Sequence, residues 1–196
     1  MPDVVKSSQA GPRPEPGLAS QSAEPLRAPA RERPFHIILV EPEIPPNTGN
    51  VARLCAATAC PLHLVGALGF RIDEHAVRRA GLDYWHLVEL YRHADFERAE
   101  QAVRAVAGPG SRSWLFSAKA QRSYLDALFE LGDALVFGRE SVGLPSDLLE
   151  SRSAFVLGIP TLGPVRSHNL ANSVGITLYE ALRQTGCLDL TTPPFA

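Results

Sequence analysis

Three stretches of this chain gather residues able to do chemistry, and each begins where a short apolar run ends. In the first, Glu41-Pro42-Glu43-Ile44-Pro45-Pro46-Asn47-Thr48-Gly49-Asn50, prolines stiffen a loop, and Asn47 or Thr48 is expected to cap the helix that follows. Arg53 lies three residues beyond Asn50, on the same helical face and one turn from a helix N-terminus, where anions are favoured. An Asn and an Arg so placed can face one phosphate; the alternative is a capped helix with a solvated Arg. In the second stretch, Phe137-Gly138-Arg139-Glu140-Ser141-Val142-Gly143-Leu144-Pro145, two glycines can admit close backbone approach to a ligand. Glu140 there can act as a base, orient a hydroxyl, or satisfy backbone donors of its own turn. The third, Ile159-Pro160-Thr161-Leu162-Gly163-Pro164-Val165-Arg166-Ser167-His168-Asn169, is dense in turn-formers and hydroxyls, and Ser167 or Asn169 is expected to cap a last helix. Ser167 beside His168 invites a hydrolase reading, but adjacent residues rarely make a productive nucleophile and base, and no G-x-S-x-G elbow is present.

The elements that must position these loops follow from hydrophobic periodicity. Short apolar runs predict strands at Phe35 to Val40, Leu62 to Val65, Trp85 to Leu90, Ser113 to Phe116, Ala134 to Phe137 and Ala154 to Leu157. Amphipathic runs predict helices at Thr48 to Ala59, Asp73 to Ala80, Asp95 to Ala107, Ser146 to Glu150 and Asn169 to Thr185, the last stopped by Gly186. Such alternation implies an α/β fold with a mostly parallel sheet flanked by helices, whose ligands sit outside the carboxyl ends of the strands, where the three loops lie. Leu170, Val174, Leu178, Ala181 and Leu182 make one apolar stripe on the last helix, read as core packing. Ala171, Ser173 and Gly175 would equally suit a subunit interface.

Composition sets the outer limits. With 196 residues, one folded domain is expected. Residues 1–34 hold seven of the 17 prolines and no aromatic residue, so they read as a disordered tail ahead of a domain at 35–196. Nineteen basic against 21 acidic side chains exclude a nucleic-acid binder working through bulk charge, so any such site must be a local patch. Arg78, Arg79, Tyr84 and Trp85 form one basic and aromatic cluster. No apolar run approaches membrane-spanning length, no export signal is read, and three cysteines without metal spacing fit a reducing cytoplasm with no metal. Phosphate-loop and G-x-G-x-x-G signatures are absent.

Taken in order, the three loops resemble the three motifs of the SPOUT class of RNA 2'-O-methyltransferases. Within that class, EPEIPPNTGNVARLC (41–55), LGFRIDEHAVRRAGLDY (68–84) and the closing IPTLGPVRSHNLANSVGITLYEALRQ are similar to the wobble-position tRNA (cytidine/uridine) 2'-O-methyltransferases of the TrmL family. The resemblance runs from about Phe35 to Gly186. It implies S-adenosylmethionine as methyl donor, tRNA as substrate, a homodimer and a C-terminal trefoil knot, which ordinary topology rules would not suggest. It also implies that Arg53, Glu140 and Asn169 are catalytic, that Phe116, Gly138, Ile159 and Ser167 line the cofactor site, and that Asn47, Arg78, Arg79, Arg139 and Arg166 meet RNA, with Arg71 a further candidate. Because a guanidinium keeps its protons to a pH above about 12, Arg53 is expected to clamp phosphate and orient the hydroxyl rather than serve as base. The alternatives are a methyltransferase of this fold acting on another RNA and a non-catalytic RNA-binding protein; retention of Arg53, Glu140, Ser167 and Asn169 disfavours the second.

Overall fold

A computed structural model describes residues 26–69 and 85–190. Six parallel strands, β1 (His36–Val40), β2 (Leu62–Val65), β3 (Leu90–His93), β4 (Ser113–Phe116), β5 (Ala134–Phe137) and β6 (Val156–Leu157), form one sheet in the order β3-β2-β1-β5-β4-β6. Among the described residues, four α-helices, α1 (Pro45–Thr58), α2 (Phe96–Ala107), α3 (Ser146–Ser151) and α4 (Leu170–Gln184), accompany it. The helix expected at Asp73 to Ala80 lies outside the described residues, as do Arg71, Arg78, Arg79 and Tyr84.

The central strands carry apolar residues on both faces because both faces are covered. Ile37, Leu39, Leu64, Leu135 and Phe137 pack beneath α1 and α4, against Val51, Cys55, Val174 and Leu178. Ile38, Val40, Val65 and Val136 pack beneath Phe96, Ala99 and Val103 of α2. Full burial of one such side chain contributes about 1.5–3 kcal/mol. The stripe of α4 is therefore core: Val174, Leu178 and Ala181 are wholly buried. The apolar residues that α4 turns outward are Ile176 and Tyr179, beside exposed Asn172 and Arg183. All three cysteines are buried, and burial pushes the Cys60 thiol up to about 11.

Three expectations need correction. The apolar run from Trp85 does not enter the sheet; Trp85–Leu87 is a 3-10 turn and the strand starts at Leu90. That strand is an edge, with Tyr91 and Arg92 exposed, so it lacks the apolar pattern that marks an interior strand. Ala154 likewise belongs to a 3-10 turn, Ser153–Phe155, ahead of a two-residue strand. Helix α1 begins at Pro45, earlier than Thr48, because Pro45 and Pro46 occupy the first helical positions, where a missing N–H costs nothing.

Strands β1 and β5 are neighbours, yet the chain leaves β1 toward β2 on one side while β5 adjoins β4 on the other. The reversal opens a crevice at their carboxyl ends, the usual ligand position in a parallel sheet. Glu41, with φ 48, turns the chain out of β1 there in a left-handed conformation uncommon for a non-glycine residue.

Candidate active site

The loops after β1 and β5 and the N-terminus of α4 meet through one run of side chains. Glu140 accepts from the Glu43 amide at 2.8 Å, the Ile44 amide at 3.3 Å and Asn47 Nδ2 at 2.9 Å. The other end of the same carboxamide, Asn47 Oδ1, accepts from Asn169 Nδ2 at 2.9 Å. Asn169 Oδ1 then accepts from the amides of Ala171 and Asn172, which makes it the N-cap of α4, as its sequence position implied. Burial works against charge on Glu140, but the hydrogen bonds from Asn47, Glu43 and Ile44 outweigh it and hold its carboxyl below the usual carboxylate range. At neutral pH it is an anion whose charge is shared among three donors.

The arrangement gives each of these residues a partner within the protein. Asn47 neither caps α1 nor lies on the surface: it is buried and bonded to Glu140 and Asn169, while Ile44 is the N-cap and offers no side-chain bond. The anion at that helix end is Glu140 itself, held by the Ile44 amide and Asn47 Nδ2, and the first turn offers no further free amide. Pro45 and Pro46 have no N–H, and the amides of Asn47 and Thr48 both donate to the Ile44 carbonyl. Glu140 and Asn169, expected as catalytic, are engaged in holding loops together. Arg139, expected to meet RNA, is ion-paired with Glu41. Gly138 does not open space for a ligand: a Cβ there would lie 2.2 Å from the Gly143 carbonyl carbon and 2.3 Å from the Leu144 nitrogen. Its missing side chain lets the loop fold onto itself, with Arg139 and Gly143 exchanging backbone hydrogen bonds.

Phe116 is buried and stacked on Phe137, ring centroids 4.7 Å apart, so its ring belongs to the core and only the loop after it reaches the crevice. Ile159 is half-buried at the start of the third loop. From there the chain runs into solvent, leaving Leu162, Val165, Arg166 and Ser167 exposed. Arg53 is exposed on α1. Beside these residues, a groove of about 480 Å³ lies between α1 and α4, lined by Asn50, Leu54, His168, Asn172 and Ile176. The His168 Nε2 atom is buried there with no hydrogen-bond partner, so that nitrogen is not bonded to Ser167. Sequence reasoning missed Glu41 and Glu43, which bind Arg139 and Ser141 across the crevice; the only signal was two carboxylates in a proline-stiffened loop.

Residues 34–179 match the SpoU rRNA Methylase family. A tRNA (cytidine(34)-2'-O)-methyltransferase of Acidovorax sp. (strain JS42) is 47% identical over 161 residues, covering 82% of this chain and 98% of the relative. A solved structure that gives insight into 2-OH methylation of C/U34 on tRNA superposes with a TM-score of 0.69 at 48% identity, covering 76% of this chain and 95% of its own. The SpoU methyltransferase AviRb from Streptomyces viridochromogenes, in complex with the cofactor AdoMet, shares the fold with a TM-score of 0.64 at 24% identity, covering 81% and 60%. The chain belongs to the SpoU methylase family.

Proposed function

We propose that the protein methylates the ribose 2'-hydroxyl of the wobble nucleotide, position 34, of tRNA, with S-adenosylmethionine as donor. The observation that carries this reading is the joining of the three motif loops through Glu140, Asn47 and Asn169 at the crevice between β1 and β5, in a chain 47% identical to a relative of that activity. The chain's residues fit the donor. A side chain at Gly143 would meet nothing within 4 Å, so space is open there, and Leu162 and Val165 offer exposed apolar surface on which an adenine can lie. Backbone groups of the loop after Phe116, of Arg139 to Gly143 and of Ile159 to Ser167 would hold it. S-adenosylmethionine supplies a methyl group on a sulfonium.

The chain's own contribution is alignment. Transfer to the ribose oxygen would be in line, the methyl–sulfur bond breaking to leave a neutral thioether as the O–C bond forms and the hydroxyl proton leaving to solvent, so fixing the hydroxyl supplies much of the rate. Arg53, a permanent cation with a planar fork, clamps phosphate and orients the hydroxyl. Glu140, Asn47 and Asn169 hold the loops that frame it, and Ser167 and Arg166 present polar groups from the third loop. An anticodon loop exposes its riboses without the melting of a helix, which suits an open crevice. Arg71, Arg78, Arg79 and Arg166 would supply the phosphate contacts, making binding salt-sensitive.

A homodimer belongs to the same reading, supported by the groove between α1 and α4 and by outward Ile176 and Tyr179. So do a C-terminal trefoil knot, supported by family membership, and a cytoplasmic site of action; at the end of the expected tail, Arg33 pairs with Glu89 and Pro34 is buried against the domain, its carbonyl accepting from the Gly132 amide. No helix among the described residues is long and apolar enough to cross a membrane, and no metal-binding group occurs among them. Incubation with S-adenosylmethionine labelled on the methyl group tests the reading: label enters total tRNA, whereas label entering ribosomal RNA alone would establish another substrate. Light scattering at micromolar concentration is expected to give a dimer mass; a monomer mass would remove that part.

A further inference from the structure

The carboxylates of Glu43 and Glu140 hold one another's loops. Glu140 Oε2 accepts the amide of Glu43 at 2.8 Å, and Glu43 returns the contact, its Oε2 accepting the amide of Ser141 at 3.0 Å and its Oε1 the Ser141 hydroxyl at 2.9 Å. The result is a reciprocal clasp between the loop after β1 and the loop after β5, next to the Glu41–Arg139 ion pair. The Gly138 to Gly143 turn closes on itself through Arg139 and Gly143, so its middle, Glu140 to Val142, is held from outside only where a neighbouring loop reaches it. Glu43 makes that contact at Ser141, one residue from the carboxylate on which Asn47 and Asn169 depend.

We infer that Glu43 is a positioning residue for methyl transfer: by binding Ser141 it fixes the turn that carries Glu140, and through Glu140 it sets Asn47, Asn169 and the start of α4. The inference rests on the functional reading above. Glu43 lies at the mouth and is only half-buried, so its removal is expected to disturb geometry far more than global stability. A displacement of about 1 Å in such a frame is enough to slow an aligned reaction by up to about a hundredfold.

Steady-state methyl transfer to tRNA by full-length protein tests this with four variants. Glu43→Ala is expected to lower kcat by about tenfold or more, with KM for tRNA within about twofold of wild type, a loss of cofactor affinity smaller than the loss of kcat, and the thermal midpoint nearly unchanged. Glu43→Gln keeps an oxygen for the Ser141 amide and is expected to recover most of that rate. Ser141→Ala loses only the hydroxyl contact and is expected to be mildly slow. Glu43→Ala combined with Ser141→Ala is expected to be no slower than Glu43→Ala alone, since both remove one contact. Hydrogen exchange reads the same contact directly: the Ser141 amide loses protection in Glu43→Ala. An active wild type with Glu43→Ala at the same kcat, or a double variant whose losses multiply, would overturn the inference while leaving the functional reading intact. A wild type that transfers no methyl group to tRNA would instead overturn the functional reading, and the positioning role with it.

Discussion

Two of the polar networks that cross between elements of this protein differ in nearly every physical respect. At the mouth of the β1–β5 crevice, Glu140, Asn47 and Asn169 join three loops through charged and amide groups, part-buried and close to solvent. Across β1, β2 and β3, His36 Nδ1 lies 3.0 Å from His63 Nε2, and His63 Nδ1 lies 2.9 Å from His93 Nε2. Tyr91 stacks on His63 at 5.0 Å between centroids. His36 and His63 are buried, and His36 Nε2 has no partner. Burial holds His36 down to about 4 and, with repulsion from His36 and His93, His63 down to about 3, so both stay neutral at neutral pH. A strongly shifted pKa often marks a functional site, but here the largest histidine shifts belong to a ladder joining strands, away from the loops that carry the motifs. The site is distinguished by loops from distant parts of the chain meeting, not by the size of its shifts.

Substitutions sharpen that contrast. The largest effect is expected from Gly138→Val, whose Cβ would intrude on the Gly143–Leu144 backbone; urea unfolding should show a loss of roughly 3 kcal/mol together with loss of activity. A variant with normal stability that only fails to bind S-adenosylmethionine would restore Gly138 to the cofactor site. Next comes Glu140→Ala, which strands the amides of Glu43 and Ile44 and the Asn47 carboxamide. Turnover is expected to drop about a hundredfold, equivalent to about 2.7 kcal/mol in the barrier. Arg53→Ala should lower turnover by at least about tenfold with cofactor affinity kept, and Arg53→Lys should recover little because a point charge does not reproduce a planar fork. Calorimetry alongside kinetics separates the two quantities.

The last of these effects belongs to the ladder and is read by pH. Unfolded histidine titrates near 6.5, whereas the folded chain holds His36 at about 4 and His63 at about 3. The unfolded chain therefore takes up protons that the folded one refuses, and stability is complete above pH 6.5 and falls as pH drops from there toward 4. At pH 5.5 the loss is on the order of 1.5 kcal/mol for each of the two buried imidazoles. Denaturation midpoints across this range check it, and a flat profile would show that the ladder does not behave as two buried neutral groups. Replacing His63 by Asn should reduce the pH-dependent loss by about half, leaving that of His36, with kcat at pH 8 within about twofold.

The same contrast explains what the sequence could reveal. Strands β2, β4 and β5 were legible residue for residue because they are short, apolar and buried on both faces. Edge strand β3 was not, since half of it faces solvent and its apolar prelude forms a 3-10 turn. Glu140 and Asn169 stood out by position, one directly after a strand and the other at a helix start. Their common partner did not: Asn47 is 93 residues from Glu140 and 122 from Asn169, and its place before a helix favoured a capping role that two prolines had already made unnecessary. The histidine ladder was equally hidden, because its members fall into register only once the strands pair.

The central claim is that three loops, tied through Glu140, Asn47 and Asn169, frame one ribose hydroxyl at the tRNA wobble position. Its most direct test is mass spectrometry of nuclease-digested tRNA after reaction with the protein and S-adenosylmethionine. The predicted result is a single added methyl on the ribose of nucleotide 34, formed about a hundredfold more slowly by Glu140→Ala. A methyl on a base, or on a ribose outside the anticodon, would contradict it.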